Sequence, residues 1–233
     1  MVNFKEHLQN LNIELTAEME NQFKTYYEFV VYYNEMVNLT AITDFEGVYM
    51  KHFYDSLTLS KSFDLNQNLK CCDVGAGAGF PSVPNAICFK NLDVTIIDAL
   101  NKRIKFLNEL SLKLGIDNVK ALHQRAEDHA KEYKEYYDIC TARAVARLNV
   151  LAELCLPLVK VGGYFLAMKS QETTEELKEA RVAIKTLGGE VEIIDTFNLP
   201  DGLGERTILV IKKIKETPKK YPRPFTQIKN KPL

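Results

Sequence analysis

The chain has 233 residues, 46% of them apolar and 26% charged, with 11 glycines and 8 prolines. That composition excludes a disordered, collagen-like or low-complexity chain, and a domain of this length buries about 70–75% of its unfolded surface without a disulfide or metal staple. The net charge of −1 conceals a tail, residues 212–233, with eight Lys or Arg against Glu216 alone, so a +7 end sits on a −8 body.

The start, Met1-Val2-Asn3-Phe4-Lys5-Glu6, has no apolar core behind its charge, so no signal peptide is expected. No run approaches the ~18 apolar residues of a membrane span. The five cysteines show no Cys-x-x-Cys spacing, which points to buried, reduced thiols in a cytoplasmic protein and to no metal site.

Residues 1–68 read as a helical extension. Met19, Phe23, Tyr26, Tyr27, Val30 and Val31 keep the spacing of one apolar helix face, and Thr16 is placed to cap that helix, with Glu18 and Glu20 in its first turn. Phe45, Val48, Tyr49, His52, Phe53 and Leu57 predict a second helix, with His52 an interior histidine.

From residue 69 the rhythm changes. Strands are expected at 69–74, 93–98, 118–123, 137–142 and 163–169, with helices at 80–90, 101–115, 145–159 and 173–187. This alternation predicts right-handed βαβ units, hence a mostly parallel sheet with helices on both faces. Val191–Phe197 and Thr207–Ile214 have no room for a helix between them and should pair antiparallel. Residues 69–214 thus form the main α/β domain, and 215–233 a basic, proline-rich tail expected to be extended and aimed at a polyanion.

The chemistry concentrates where the first strand, ending in Asp73-Val74, runs into Gly75-Ala76-Gly77-Ala78-Gly79-Phe80. Glycines let the backbone turn tightly and let a ligand lie against bare N–H groups. The second strand ends in Asp98, where a carboxylate can accept both hydroxyls of an adenosine ribose. An adenosine-containing cofactor is therefore expected across these strand ends. A dinucleotide in a nicotinamide-dependent oxidoreductase requires Gly-x-Gly-x-x-Gly, but Phe80 stands where that pattern needs glycine. Asp73 would repel a pyrophosphate yet suit an ammonium, which favours S-adenosylmethionine. The third strand leads to Ala126 and Glu127, whose backbone N–H and carboxylate can read an adenine edge. Arg143 ends the fourth strand over the same place.

These residues carry a resemblance. Asn38-Leu39-Thr40-Ala41-Ile42, His52 with Asp55-Ser56-Leu57, Asp73 through Pro81, Asn101-Lys102-Arg103, Arg125-Ala126-Glu127, Thr141-Ala142-Arg143-Ala144-Val145-Ala146 and Thr217-Pro218-Lys219-Lys220-Tyr221-Pro222-Arg223 resemble, in order, the bacterial small-subunit (16S) ribosomal RNA guanine-N7 methyltransferases, RsmG or GidB. The resemblance implies a Rossmann-like class I methyltransferase fold with seven strands, the final one antiparallel. It implies S-adenosylmethionine as cofactor, a guanine in a loop of the decoding region as substrate, and cofactor contacts at Gly75, Phe80, Ala126, Glu127 and Arg143; Gly77 and Asp98 join them from the loop and ribose arguments. Guanine N7 is unprotonated at neutral pH, so no catalytic base is expected, and Arg143 is assigned to orienting cofactor or RNA. Lys169, Lys219, Lys220, Tyr221 and Arg223 are expected to hold RNA, with Tyr221 stacking on a base. A monomer acting on small-subunit RNA or the small subunit follows. A non-catalytic RNA-binding module on the same fold stays open as an alternative. Three departures stand out: Asn85 after Pro84, Ser170 after Lys169, and Tyr33 in a chain with no tryptophan.

Overall fold

The computed structural model describes residues 3–170 and 173–233; Met1 and Val2 of the start lie outside them. Seven strands form one sheet: β1 (Leu69–Val74), β2 (Leu92–Asp98), β3 (Val119–His123), β4 (Tyr137–Arg143), β5 (Val159–Lys169), β6 (Gly189–Asn198) and β7 (Glu205–Lys213), in the order 3-2-1-4-5-7-6. The pairings from β3 across to β5 are parallel, and β7 is antiparallel to both β5 and β6. The expected final antiparallel strand is present, and it slides between β5 and β6 rather than closing the sheet's edge.

Helices cover both faces. On one, Phe23, Tyr26, Phe53, Phe80, Val83, Phe106 and Leu166 belong to a single buried cluster, so the helical extension shares its core with the sheet. The Ala17–Val37 helix begins as predicted, the Thr16 hydroxyl accepting from Met19 N at 3.2 Å. It ends at Asn38, whose φ of 48° reverses the chain; Asn34 Oδ1 then accepts from Leu39 N (2.6 Å) and Thr40 N (2.9 Å), fixing the turn. The second predicted helix is interrupted by a π-helical stretch, Val48–Tyr54.

Two short helices, Ala126–Glu132 and Phe225–Asn230, lie outside the expected elements; at two turns or fewer they carry too little periodicity to read.

The tail departs from expectation. It is not extended but docked. The Lys213 ammonium is fully buried and donates to Leu156 O (2.7 Å), Val159 O (3.2 Å) and Thr217 Oγ1 (2.8 Å). Thr217 N donates to Glu135 Oε1 at 2.6 Å, and Lys134 Nζ to Tyr221 O at 3.1 Å. Tyr221 and Ile228 are buried in the second core, on the other face of the sheet.

Candidate active site

The parallel strands deliver their carboxyl ends to one edge, where ligands bind in open α/β sheets. Gly75 N donates to Ile97 O at 2.8 Å, tying the loop after β1 to the end of β2. A cleft of about 480 Å³ opens here. Gly75, Gly77, Phe80, Asp98, Ala126, Glu127 and Arg143 all line it.

The three loop glycines have different tasks. Each has positive φ: 76°, 61° and 96°. A Cβ on Gly77 would meet nothing within 4 Å, so bare backbone faces open space. A Cβ on Gly79 would lie 2.6 Å from Tyr26 Oη, because that hydroxyl donates to Ala78 O at 2.6 Å. Gly79 is therefore a packing glycine, and the extension grips the loop through Tyr26.

Asp73 differs from its expected role. Its carboxylate is fully buried and absent from the cleft lining. Oδ2 accepts from Ser82 N at 3.2 Å, capping the Ser82–Cys88 helix, while Oδ1 has no partner. Burial pushes this carboxyl up to about 7. It braces the loop from beneath and does not face a ligand's ammonium.

Asp98 is 4% exposed. Oδ1 accepts from Leu100 N at 2.8 Å and Oδ2 from Arg103 at 3.2 Å. Those bonds fix its direction and leave acceptor capacity on both oxygens. Ala126 opens its helix with no side-chain cap, so the first N–H groups remain for a ligand.

Over the loop sits a stacked cluster. Phe80 lies against His52 (4.5 Å between centroids, 22°) and Tyr26 (5.5 Å, 19°), with the Arg143 guanidinium 5.0 Å from its ring centre. Arg143 donates to Asp55 Oδ2 at 2.9 Å, and Arg206 donates to Asp55 Oδ1 at 2.9 Å. One buried carboxylate from the extension thus holds two guanidinium groups, of which Arg143 lines the cleft. Burial draws the pKa of Arg143 down and Asp55 offsets the shift.

The partners of His52 settle its tautomer. The Lys51 carbonyl, 3.1 Å from Nδ1, can only accept, so Nδ1 carries the proton; Nε2 accepts from the Thr40 hydroxyl at 2.7 Å. Burial, with the Arg143 charge beside it, pushes His52 down to about 4, so it is neutral. Thr40 also accepts from Ile42 N at 3.1 Å. Leu39 and Thr40 line the cleft, whereas Asn38 is the exposed helix cap.

The residues expected to hold RNA are not one patch. Lys169 pairs with Glu176 at 2.5 Å and donates to Ala146 O at 3.2 Å, with 11% of its side chain exposed. It braces the turn after β4 and is no free cation. Tyr221 is 7% exposed, too covered to stack on a base. Arg223 grips Glu153, itself 0% exposed, through Nη2 to Oε2 (2.6 Å), Nε to Oε1 (2.8 Å) and backbone N to Oε1 (2.9 Å). Lys219 and Lys220 are exposed. A charge count along the sequence does not separate paired cations from free ones.

Gln124, at the β3 end beside Ala126, also lines the cleft; Leu100 and Phe225 line it too, and sequence reasoning missed those two. Leu100 is adjacent to the Asp98 signal and 44% exposed. Phe225 had no local signal.

Bare glycine backbone, a ribose-height carboxylate, an uncapped helix start and a cleft sized for one nucleoside-bearing ligand fit S-adenosylmethionine, and with this strand order they define a class I, S-adenosylmethionine-dependent methyltransferase. Solved structures share the fold: M. jannaschii TYW2 in complex with AdoMet (TM-score 0.56, 17% identity, covering 75% of this chain and 80% of that one) and the Geobacter metallireducens precorrin-6y C5,15-methyltransferase (TM-score 0.54, 18% identity, 69% and 87%). The family model for rRNA small subunit methyltransferase G (GidB) matches residues 19–208. Curated relatives named ribosomal RNA small subunit methyltransferase G are 57% identical in Staphylococcus carnosus and 56% identical in Staphylococcus aureus, each match covering 94% of this chain and 92% of the relative. The chain belongs to the rRNA small subunit methyltransferase G family, and the oxidoreductase reading falls.

Proposed function

We propose that this protein transfers the methyl group of S-adenosylmethionine to N7 of a guanine in small-subunit (16S) ribosomal RNA. The carrying observation is the cleft across β1–β4, in which the seven residues assigned to the cofactor converge on a chain of this family. The cofactor supplies an electrophilic methyl on a sulfonium.

The chain supplies position. Gly77 offers backbone without a Cβ in the way. Asp98 accepts the ribose hydroxyls with the capacity that Leu100 N and Arg103 leave. Ala126 N–H and Glu127 read the adenine edge. Phe80, stacked with His52 and Tyr26, and Arg143, held by Asp55, shape the place where methyl and base meet. N7 carries an in-plane lone pair, so transfer needs alignment of nucleophile, carbon and leaving sulfur rather than proton removal. His52, neutral with Nε2 occupied by Thr40, is not a base in waiting.

An RNA duplex hides base edges in a narrow groove, so the guanine is presented from a loop or flipped. Exposed Lys219 and Lys220 hold its phosphates. The cleft is built within one chain, which supports action as a monomer. Among the described residues no helix is long and apolar enough to cross a membrane; the substrate places the protein in the cytoplasm.

Calorimetry tests the cofactor: S-adenosylmethionine and S-adenosylhomocysteine should bind and NAD should not. Single-turnover transfer should show a solvent deuterium isotope effect near unity; an effect well above unity would mean a proton moves in the rate-limiting step and reject the base-free mechanism.

A further inference from the structure

The tail reaches the cofactor cleft. Phe225 lines it beside Ala126 and Glu127. The same ring, with Arg125 and Glu127, also lines a second groove of about 440 Å³ bounded by Asp128, Lys131 and residues 222–226. Phe225, Arg125 and Glu127 therefore form the ridge shared by cleft and groove. The Arg125 guanidinium lies over the ring, 5.4 Å from its centre.

The ring's position is fixed from both sides. Before it, Arg223 spends guanidinium and backbone N–H on a fully buried carboxylate, Glu153. After it, Ile228 is fully buried. A segment needed only to present cations to RNA has no use for so exact an anchor. An apolar, flat side chain at the β3 end of the cleft suits a flat, apolar-faced ligand, and Leu100, 44% exposed in the same cleft, offers apolar surface of the same kind.

We infer that the C-terminal segment completes the cofactor site, with the Phe225 ring forming a wall of the adenine subsite. The inference rests on the placement of adenine at the β3 end. It makes the tail part of cofactor recognition rather than an RNA appendage alone.

The chain has no tryptophan, so Phe225→Trp places a single reporter at this wall. Titration of the variant with S-adenosylhomocysteine changes its emission saturably, adenosine changes it at higher concentration, and methionine leaves it unchanged. Phe225→Ala, which opens the cleft into the groove, weakens S-adenosylhomocysteine binding at least tenfold with the melting temperature kept. Loss of binding in folded Phe225→Trp likewise supports a wall that a larger ring obstructs. Unchanged emission, while calorimetry shows the same variant binding S-adenosylhomocysteine, overturns the inference. Absence of binding by the natural chain overturns the cofactor reading instead, so the two failures are distinct.

Discussion

Arg143, at the end of β4, and Asp55, in the helical extension, meet at 2.9 Å beneath the rim of the cleft. Asp55 is 3% exposed and also holds Arg206. Removing its charge leaves two guanidinium groups side by side without their shared counter-ion. Asp55→Asn should cost about 3–5 kcal/mol of stability, as expected when one partner leaves a buried ionic cluster, and should weaken cofactor binding. Arg143→Ala should lower cofactor affinity, turnover or both. Urea unfolding and calorimetry check the pair; an Arg143→Ala enzyme with both properties intact would remove Arg143 from the site.

His52 and Asp73 give opposing pH dependences. His52 falls from an ordinary 6.5 to about 4, and Asp73 rises from 3.8 to about 7. Between about pH 4 and 6.5 the unfolded chain binds a proton on His52 that the folded chain lacks, so this residue makes stability fall as pH drops. Between about pH 4 and 7 the folded chain keeps a proton on Asp73 that the unfolded chain has lost, so this residue makes stability fall as pH rises. Relative to the natural chain, Asp73→Asn should therefore tilt stability upward with pH over that window, and His52→Gln should tilt it downward. Each change reaches up to about 1.4 kcal/mol per pH unit. Urea midpoints measured across the window should diverge in these directions; parallel curves would contradict the burial argument.

The tail separates into anchoring and exposed residues. Arg223→Ala strands the Glu153 carboxylate in the core and should cost about 3–5 kcal/mol. Arg223→Lys should not restore it, since a single ammonium cannot reproduce the two-pronged contact. Thermal unfolding distinguishes this from a surface pair, whose loss would cost below about 1 kcal/mol.

Lys219 and Lys220 should behave in the opposite way. Their joint replacement by alanine should leave the melting temperature unchanged and should reduce the salt dependence of RNA binding by roughly 0.7 in log–log slope per lost phosphate contact. An unchanged slope would exclude them from the RNA interface.

Local signals and long-range pairings were unequally legible in the sequence. The strand–glycine–helix unit of β1 could be read because its apolar run and turn glycines lie within a dozen residues of one another, and the acidic residue that closes the next strand, Asp98, follows 19 positions after Gly79. Thr16 could be read as a cap for the same reason. The Asp73 carboxylate was placed on the wrong side of the loop. Its spacing marks the strand end but not which of the two faces it occupies, and the buried face won because Ser82 N needs an acceptor. Tyr26 with Ala78, Asp55 with Arg143, and Glu153 with Arg223 are separated by 52, 88 and 70 positions. No periodicity connects such pairs; only the fold brings them together. Arg223 therefore read as a cation for RNA, and nothing in the sequence singled out Glu153 as its partner. Asn85, odd among the apolar residues of its helix, has its reason at long range too: Nδ2 donates to Ser56 O and Pro81 O, both at 2.9 Å, joining extension to loop.

The most direct test follows the methyl group. Purified protein is incubated with isotopically labelled S-adenosylmethionine and small ribosomal subunits from cells lacking this activity, and the RNA is digested to nucleosides. Label in N7-methylguanosine is the predicted result. Label in any other nucleoside, or none in a protein shown to bind the cofactor, would contradict the account.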